Sequence, residues 1–172
     1  MSKNRLDGKV VIVTGAGMGM GAATAQVCAG YGAKVIVSDI SEAAAHETAE
    51  SIRQAGGDAH VILCDVAKEE QVKALIAGTV VHFGRLDCAV NNAAITPDTL
   101  PIAEADMAVW DRVIDVDLRS VMLCMKYEIQ QFLTQGGGGA IVNVGSVSSF
   151  RPQPANSAYV AAKHGVIGLT KT

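Results

Sequence analysis

The sequence predicts an α/β fold, a parallel β-sheet with helices packed on both faces. Three observations predict it. Short β-branched apolar runs alternate with longer segments of helical periodicity. Glycines punctuate the segment ends, and a glycine cluster follows the first apolar run directly. At 172 residues and 49% apolar composition, the chain can bury a real core in one domain and is too apolar to stay disordered.

Lys9–Thr14 (KVVIVT) has the composition of a buried strand. The glycine-rich stretch after it leads into a helix over Ala22–Gly30, stopped near Gly30 and Gly32. Lys34–Ser38 (KVIVS) is a second strand. Ser41 has the chemistry of an N-cap, and the helix it opens runs to Ala55, before Gly56 and Gly57. Ala59–Cys64 (AHVILC) is a third strand. Lys68–Phe83 is a helix with Val72, Leu75, Ile76, Thr79 and Val80 on one face. Leu86–Val90 is a fourth strand, and Thr96–Ala103, with Pro97 and Pro101, is a loop. Ala105–Leu133 reads as one long helix whose apolar residues, Trp110, Val113 and Met125 among them, cover more than one face, so it is buried on two sides. Gly136–Gly139 is a flexible turn, Ala140–Val144 a fifth strand, Phe150–Asn156 a loop, and a further helix begins at Ser157.

Strands and helices at this spacing need right-handed crossovers, which make a doubly wound Rossmann-type sheet in a single domain over 1–172. No internal linker or short repeat interrupts it. The fifth strand would be an apolar edge with nothing over it. The expectation is a fragment of a longer protein, with a dimer contact as the alternative cover.

Composition narrows the partners. A net charge of −3 without a basic block argues against nucleic acid. No apolar run reaches membrane-spanning length, and the polar Met1–Lys9 lacks the apolar stretch of an export signal, so a cytoplasmic protein is expected. Cys28, Cys64, Cys88 and Cys124 are widely spaced without a CxxC and read as reduced, buried thiols. The histidines are equally scattered, so no metal site is expected.

The segment Thr14-Gly15-Ala16-Gly17-Met18-Gly19-Met20-Gly21 joins a strand to a helix. A dinucleotide's pyrophosphate binds at such a junction, because free N–H groups at the helix start face the anion. Gly15 would make the turn, Gly19 would allow close approach, and Gly21 would let the helix pack on the sheet. A glycine cluster alone is often only a loop; the flanking strand and helix favour the nucleotide. Asp39 ends the second strand, where an acid accepts hydrogen bonds from both ribose hydroxyls and repels a 2′-phosphate. Ile40 follows where an arginine would have favoured that phosphate, so NAD is preferred over NADP. A turn or N-cap aspartate is the plainer alternative. Asp65 and Val66 suit the adenine ring, a carboxylate for its amino group and an apolar wall beside it. A helix-capping aspartate fits there too. In Asn91-Asn92-Ala93-Ala94 the small residues let a cofactor cross the sheet's carboxyl edge. Asn91 reads as a tie between strand ends and Asn92 as nearer the cofactor.

Ser146, Tyr159 and Lys163 form the reactive set. Moving a hydride to or from carbon requires a proton to move on the attached oxygen. A phenol does this near neutral pH only if its pKa, about 10 when unperturbed, is lowered. A lysine one helical turn away lies on the same face and favours the phenolate. A serine hydroxyl just past a strand can donate to the developing alkoxide. A Tyr-x-x-x-Lys helix alone is as often a surface pair; its place after Ser146 and a strand end favours chemistry.

These residues together resemble the short-chain dehydrogenases/reductases over essentially the whole chain. The resemblance rests on TGAGMGMG, the acid at Asp39, DV at 65–66, NNAA at 91–94, Ser146, and YVAAK at 159–163. Met18 stands where the extended branch of that family has glycine. The resemblance implies strand order 3-2-1-4-5 followed by further strands. It implies Tyr159 as acid/base, Lys163 on the nicotinamide ribose, and Ser146 on the substrate oxygen. It places Met18 and Met20 backbone along the pyrophosphate and ribose. It also implies a homodimer or homotetramer formed by the long helix and the Tyr159 helix. Asp117 departs from the family, which has asparagine there as a fourth catalytic member that holds a water leading to the lysine. An aspartate keeps the carbonyl but adds a carboxylate near Lys163, so a relay with a shifted pH profile is expected. A second departure is the absence of the family's later strands and substrate-covering segment. The implied function is NAD-dependent oxidation of a small or medium secondary alcohol, or reduction of the ketone. Alternatives are a non-catalytic NAD-binding module and a 3-oxoacyl-thioester reductase, the latter disfavoured by Asp39. Thr96–Leu100, Ser148 and Phe150–Gln153 would wall a partly apolar substrate pocket.

Overall fold

Alternate residues of the central strands feed two separate cores. This holds in the computed structural model, which describes residues 6–96 and 98–172. Met1–Arg5 of the polar N-terminal stretch and Pro97 of the proline loop lie outside the described residues. Strands β1 (Val10–Thr14), β2 (Lys34–Asp39), β3 (Asp58–Leu63), β4 (Cys88–Asn91) and β5 (Ala140–Asn143) form one sheet of order β3-β2-β1-β4-β5. Every pairing is parallel. Ile12 and Ile36 face one side with Leu75 and Leu86; Val11, Val13, Val35 and Val37 face the other with Ala25, Ala45 and Ala49. All five residues of β1 are buried, as a strand covered on both faces must be. The chain reverses direction across the sheet between β1 and β4, so their C-terminal ends open a crevice. The strand order is the one the resemblance implies.

The helices are α1 (Gly19–Gly30), α2 (Glu42–Gln54), α3 (Glu69–Phe83), α4 (Met107–Ile114), α5 (Ser120–Gln135) and α6 (Ser157–Thr170). Three details differ from the sequence-based expectation. Helix α1 starts at Gly19 rather than Ala22, as soon as the glycine turn ends. Ser41 occupies the N-cap of α2, but its side chain makes no capping bond. The expected single helix over Ala105–Leu133 is two helices joined by a π turn at Asp115–Arg119. Asp106 caps the first, accepting from the Ala108 N–H at 2.8 Å. The π turn has a tertiary cause: Asp117 within it is fully buried and accepts from the Ile95 N–H at 2.8 Å, which draws the backbone toward the sheet edge. Among the described residues no helix is long and apolar enough to cross a membrane. All four cysteines are free; Cys64 and Cys124 are buried, whereas Cys28 and Cys88 are only half-buried, short of the burial expected. Burial pushes the Cys64 thiol up to about 12.

Glu128 of α5 is buried beneath the sheet edge, 1% exposed, and its Oε2 accepts from Asn91 Nδ2 at 3.1 Å. Burial raises its pKa to about 7, against the opposing Asn91 bond. The folded protein therefore holds this proton more tightly than the unfolded chain, whose glutamate titrates near 4.3. The resulting stability is fully present below about pH 4.3 and is lost as pH rises through about 7, a swing of roughly 4 kcal/mol. Glu128→Gln is expected to gain stability relative to the parent between pH 5 and pH 8, read by urea denaturation at both values. Equal differences at the two pH values would contradict the assignment.

Candidate active site

The crevice at the C-terminal ends of β1 and β4 is a groove of about 410 Å³, running from Gly15 and Asp39 at one end to Tyr159 at the other. Local rules build its floor. Gly15 has φ +62°, and a Cβ there would come within 2.8 Å of Ala93 Cα. A Cβ on Gly21 would lie 2.0 Å from the Gly15 carbonyl oxygen, so only glycine lets α1 start this close to the turn. Open space lies above Gly19. Met18, the N-cap residue of α1, makes no side-chain capping bond, which leaves the first N–H groups of the helix free to face an anion. The Met18 and Met20 side chains point outward, 73% and 70% exposed.

Asp39 is half-buried at the groove end. Its Oδ2 accepts from the Gly17 N–H at 2.8 Å and its Oδ1 from the Ser41 N–H at 2.9 Å. Each oxygen keeps lone-pair capacity toward the groove, so the residue serves the turn and remains open to a ribose. Asp65 does not cap α3, whose N-cap position belongs to Lys68. It closes a local turn instead, its Oδ1 accepting from the Ala67 N–H at 3.1 Å, and with buried Val66 it lines the groove. Asn91 is the tie expected of it: Nδ2 donates to Asn143 Oδ1 at 2.9 Å across the strands. Asn92 also lines the groove, but its Nδ2 is spent on the turn, donating to the Thr14 carbonyl at 2.9 Å and the Gly15 carbonyl at 3.2 Å.

Ser146 lies on a short 3₁₀ turn after β5 that packs on α6, the helix carrying Tyr159 and Lys163. Ser146 opens the turn Val147–Ser149; its Oγ accepts from the Ser148 N–H at 3.1 Å, which leaves its own hydroxyl hydrogen free to donate. Ser149 returns a bond from the Ser146 N–H and donates to the Lys163 carbonyl at 2.8 Å, clamping that turn to α6. Sequence reasoning missed Ser149, although the serine spacing is that of a capping box. It also missed Asp98, whose Oδ2 accepts from the Ala158 N–H at 2.7 Å and caps the helix carrying Tyr159 from sixty residues away. No local pattern marks such a cap. Ser148, expected on the pocket wall, is buried, whereas Phe150 is exposed.

Lys163 Nζ stands 5.6 Å from the Tyr159 ring centroid. It is buried, donates to the Val144 carbonyl at 3.2 Å, and lies 3.7 Å from Asp117 Oδ2. The carboxylate is therefore beside the lysine, as expected. Burial works against both charges: it lowers the pKa of Lys163, and it raises Asp117 to about 6 in spite of the Ile95 N–H and the Lys163 ammonium. Asp117 Oδ2 has no hydrogen-bond partner within the protein. A further charged residue, Arg112 of α4, also lines the groove and escaped the sequence reading because nothing local marks it. A phenol at the groove with a buried ammonium beside it can exchange a proton with an oxygen atom of a bound molecule. The glycine floor at the other end is shaped for an anion.

The chain is similar to known proteins over nearly all of its length. A family profile described as short chain dehydrogenase matches residues 9–172. The chain is 49% identical over 171 residues to the short chain dehydrogenase/reductase astE of Aspergillus oryzae, covering 99% of this chain and 66% of that protein. It is 43% identical over 166 residues to a 2,5-dichloro-2,5-cyclohexadiene-1,4-diol dehydrogenase of Sphingobium indicum, covering 96% of this chain and 65% of that one. Among solved structures, NAD+-bound xylitol dehydrogenase superposes with a TM-score of 0.94 at 31% identity, over 97% of this chain and 64% of that one. The chain thus spans about two thirds of the length of the relatives it matches, 66% and 65%. The sheet order is that of this structural neighbour, the profile matches nearly the whole chain, and the chain belongs to the short chain dehydrogenase family.

Proposed function

We propose that the protein is an NAD-dependent oxidoreductase that interconverts a secondary alcohol and its ketone. The observation that carries this reading is the placement of Lys163 Nζ 5.6 Å from the Tyr159 ring, at the far end of a groove that begins at Gly15 and Asp39. Gly15, Gly19 and the backbone of Met18 and Met20 would hold the pyrophosphate. Asp39 would hold the adenosine ribose, Asp65 and Val66 the adenine, and Asn92 the turn beneath them. The glycine cradle, which a Cβ would fill, fits such a group. When bound, NAD supplies the hydride acceptor. Tyr159 would take the proton from the alcohol oxygen, Ser146 would donate to that oxygen and fix its position, and the Lys163 ammonium would favour the phenolate and hold the nicotinamide ribose. Asp39 supports NAD over NADP, because a 2′-phosphate would meet its carboxylate; the NAD+-bound structural neighbour agrees. The diol dehydrogenase relative supports a cyclic secondary alcohol as substrate. Exposed Met122 and Ile129 on α5 support a homodimer or homotetramer through this face.

Titration with NADH and NADPH, followed by turnover on cyclic and open-chain secondary alcohols, tests the reading. NADH is expected to bind at least tenfold more tightly than NADPH. Preference for NADPH would overturn the cofactor assignment. The buried Asp117–Lys163 pair gives some support to a second reading, a module that binds NAD and turns over little. Tight NADH binding without turnover on any alcohol would favour that reading.

Asp117 makes a separate prediction. Above about pH 6 its carboxylate is charged and offsets the ammonium that Tyr159 faces. Asp117→Asn removes the offset, so the rising limb of alcohol oxidation, which follows loss of the reactive proton, is expected to move to lower pH by roughly one unit. Superimposable pH–rate curves for parent and variant would refute this role.

A further inference from the structure

Arg112 and Asp65 face each other across the groove, with Arg112 Nη1 3.8 Å from Asp65 Oδ2. That is an ion pair too long to be a hydrogen bond. The two halves differ in freedom. Asp65 is 16% exposed and fixed, its Oδ1 accepting from the Ala67 N–H and its own N–H donating to Gln71 Oε1 at 2.7 Å. Arg112 is 47% exposed, and this is the one ion pair it makes among the described residues. The groove's charges are otherwise Asp39 and Asp65, and Lys163 is buried behind it. A dinucleotide is itself an anion, so a site with only those carboxylates would repel it. Arg112 supplies the missing cation at the groove wall.

Its shape says more than its charge. A guanidinium is planar, weakly hydrated and stacks on aromatic faces. Val66 and Val116 give the groove an apolar wall beside Asp65. A flat base lying against that wall, with its amino group toward Asp65, would lie within reach of Arg112, which pairs with the same Asp65. We propose that Arg112 is a specificity-determining residue for the adenine ring, closing over the base as a planar lid that Asp65 holds in line. This inference rests on the NAD reading and adds the group that would select the base.

Isothermal titration calorimetry with AMP, nicotinamide mononucleotide and NADH tests it on the parent, Arg112→Ala and Arg112→Lys. AMP and NADH are expected to bind about tenfold more weakly to the alanine variant. The mononucleotide, which lacks adenine, is expected to bind all three proteins alike. Lysine restores the charge but not the plane and is expected to recover less than half of the loss. Unchanged AMP affinity in Arg112→Ala, or full recovery in Arg112→Lys, would overturn the stacking role while leaving the NAD reading intact. A parent that binds neither AMP nor NADH would overturn both.

Discussion

Tyr159→Phe is expected to lower turnover of secondary alcohols by about 10³-fold while leaving NADH affinity within a factor of about three. The substitution removes one oxygen and keeps the ring. The ring borders the groove, and Lys163 packs against it at 5.6 Å, so the local structure has no reason to move. What is lost is the phenol proposed to take a proton from the substrate oxygen. Ser146 cannot replace it, because a hydroxyl of ordinary acidity donates to an alkoxide but does not accept its proton at neutral pH. Steady-state kinetics and NADH fluorescence titration on the same preparation separate the two effects. Turnover within tenfold of the parent would remove Tyr159 from the acid/base role.

Gly21→Ala is expected to cost roughly 3 kcal/mol of stability and to abolish measurable NADH binding. The added Cβ would lie 2.0 Å from the Gly15 carbonyl oxygen and 2.6 Å from Asn92 Nδ2. The first of these is backbone at the floor of the groove, and it cannot rotate away. Relief requires α1 to retreat from β1 or the glycine turn to open, and either change moves the helix N-terminus that would face the pyrophosphate. For a chain of 172 residues, that loss corresponds to a melting temperature about 6–12 °C lower. Gly30→Ala provides the control, since a Cβ there meets nothing within 4 Å and alanine favours the helix. Differential scanning calorimetry of both variants should show a large drop for the first and little change for the second. Equal melting temperatures would mean that α1 does not depend on that contact.

Much of the architecture was legible because its causes are local. β-branched runs such as Val10–Thr14 mark buried strands through side-chain shape and apolarity, which are written in consecutive residues. The glycine turn could be placed because Gly15 at φ +62° has a backbone requirement that few other residues meet. The spacing of Tyr159 and Lys163 put both on one helical face, where they are found. Asp39 ended its strand where expected, although its bonds to Gly17 and Ser41 also make it part of the turn.

Most of the features that escaped depend on partners distant in the chain. The helix over Ala105–Leu133 looked continuous because its periodicity is continuous. Its π turn follows from Asp117 reaching Ile95 across the fold. Asp98 caps α6 from another loop, Ser149 bonds the Lys163 carbonyl, and Arg112 meets Asp65 only once α4 lies over the crevice. Periodicity, turn chemistry and helix spacing act over a few residues and can be read along the chain. The charge that surrounds Lys163 and the cation at the groove wall arise only when crossovers bring separate segments together, because Coulomb and hydrogen-bond forces act on distance in space and not on separation in sequence.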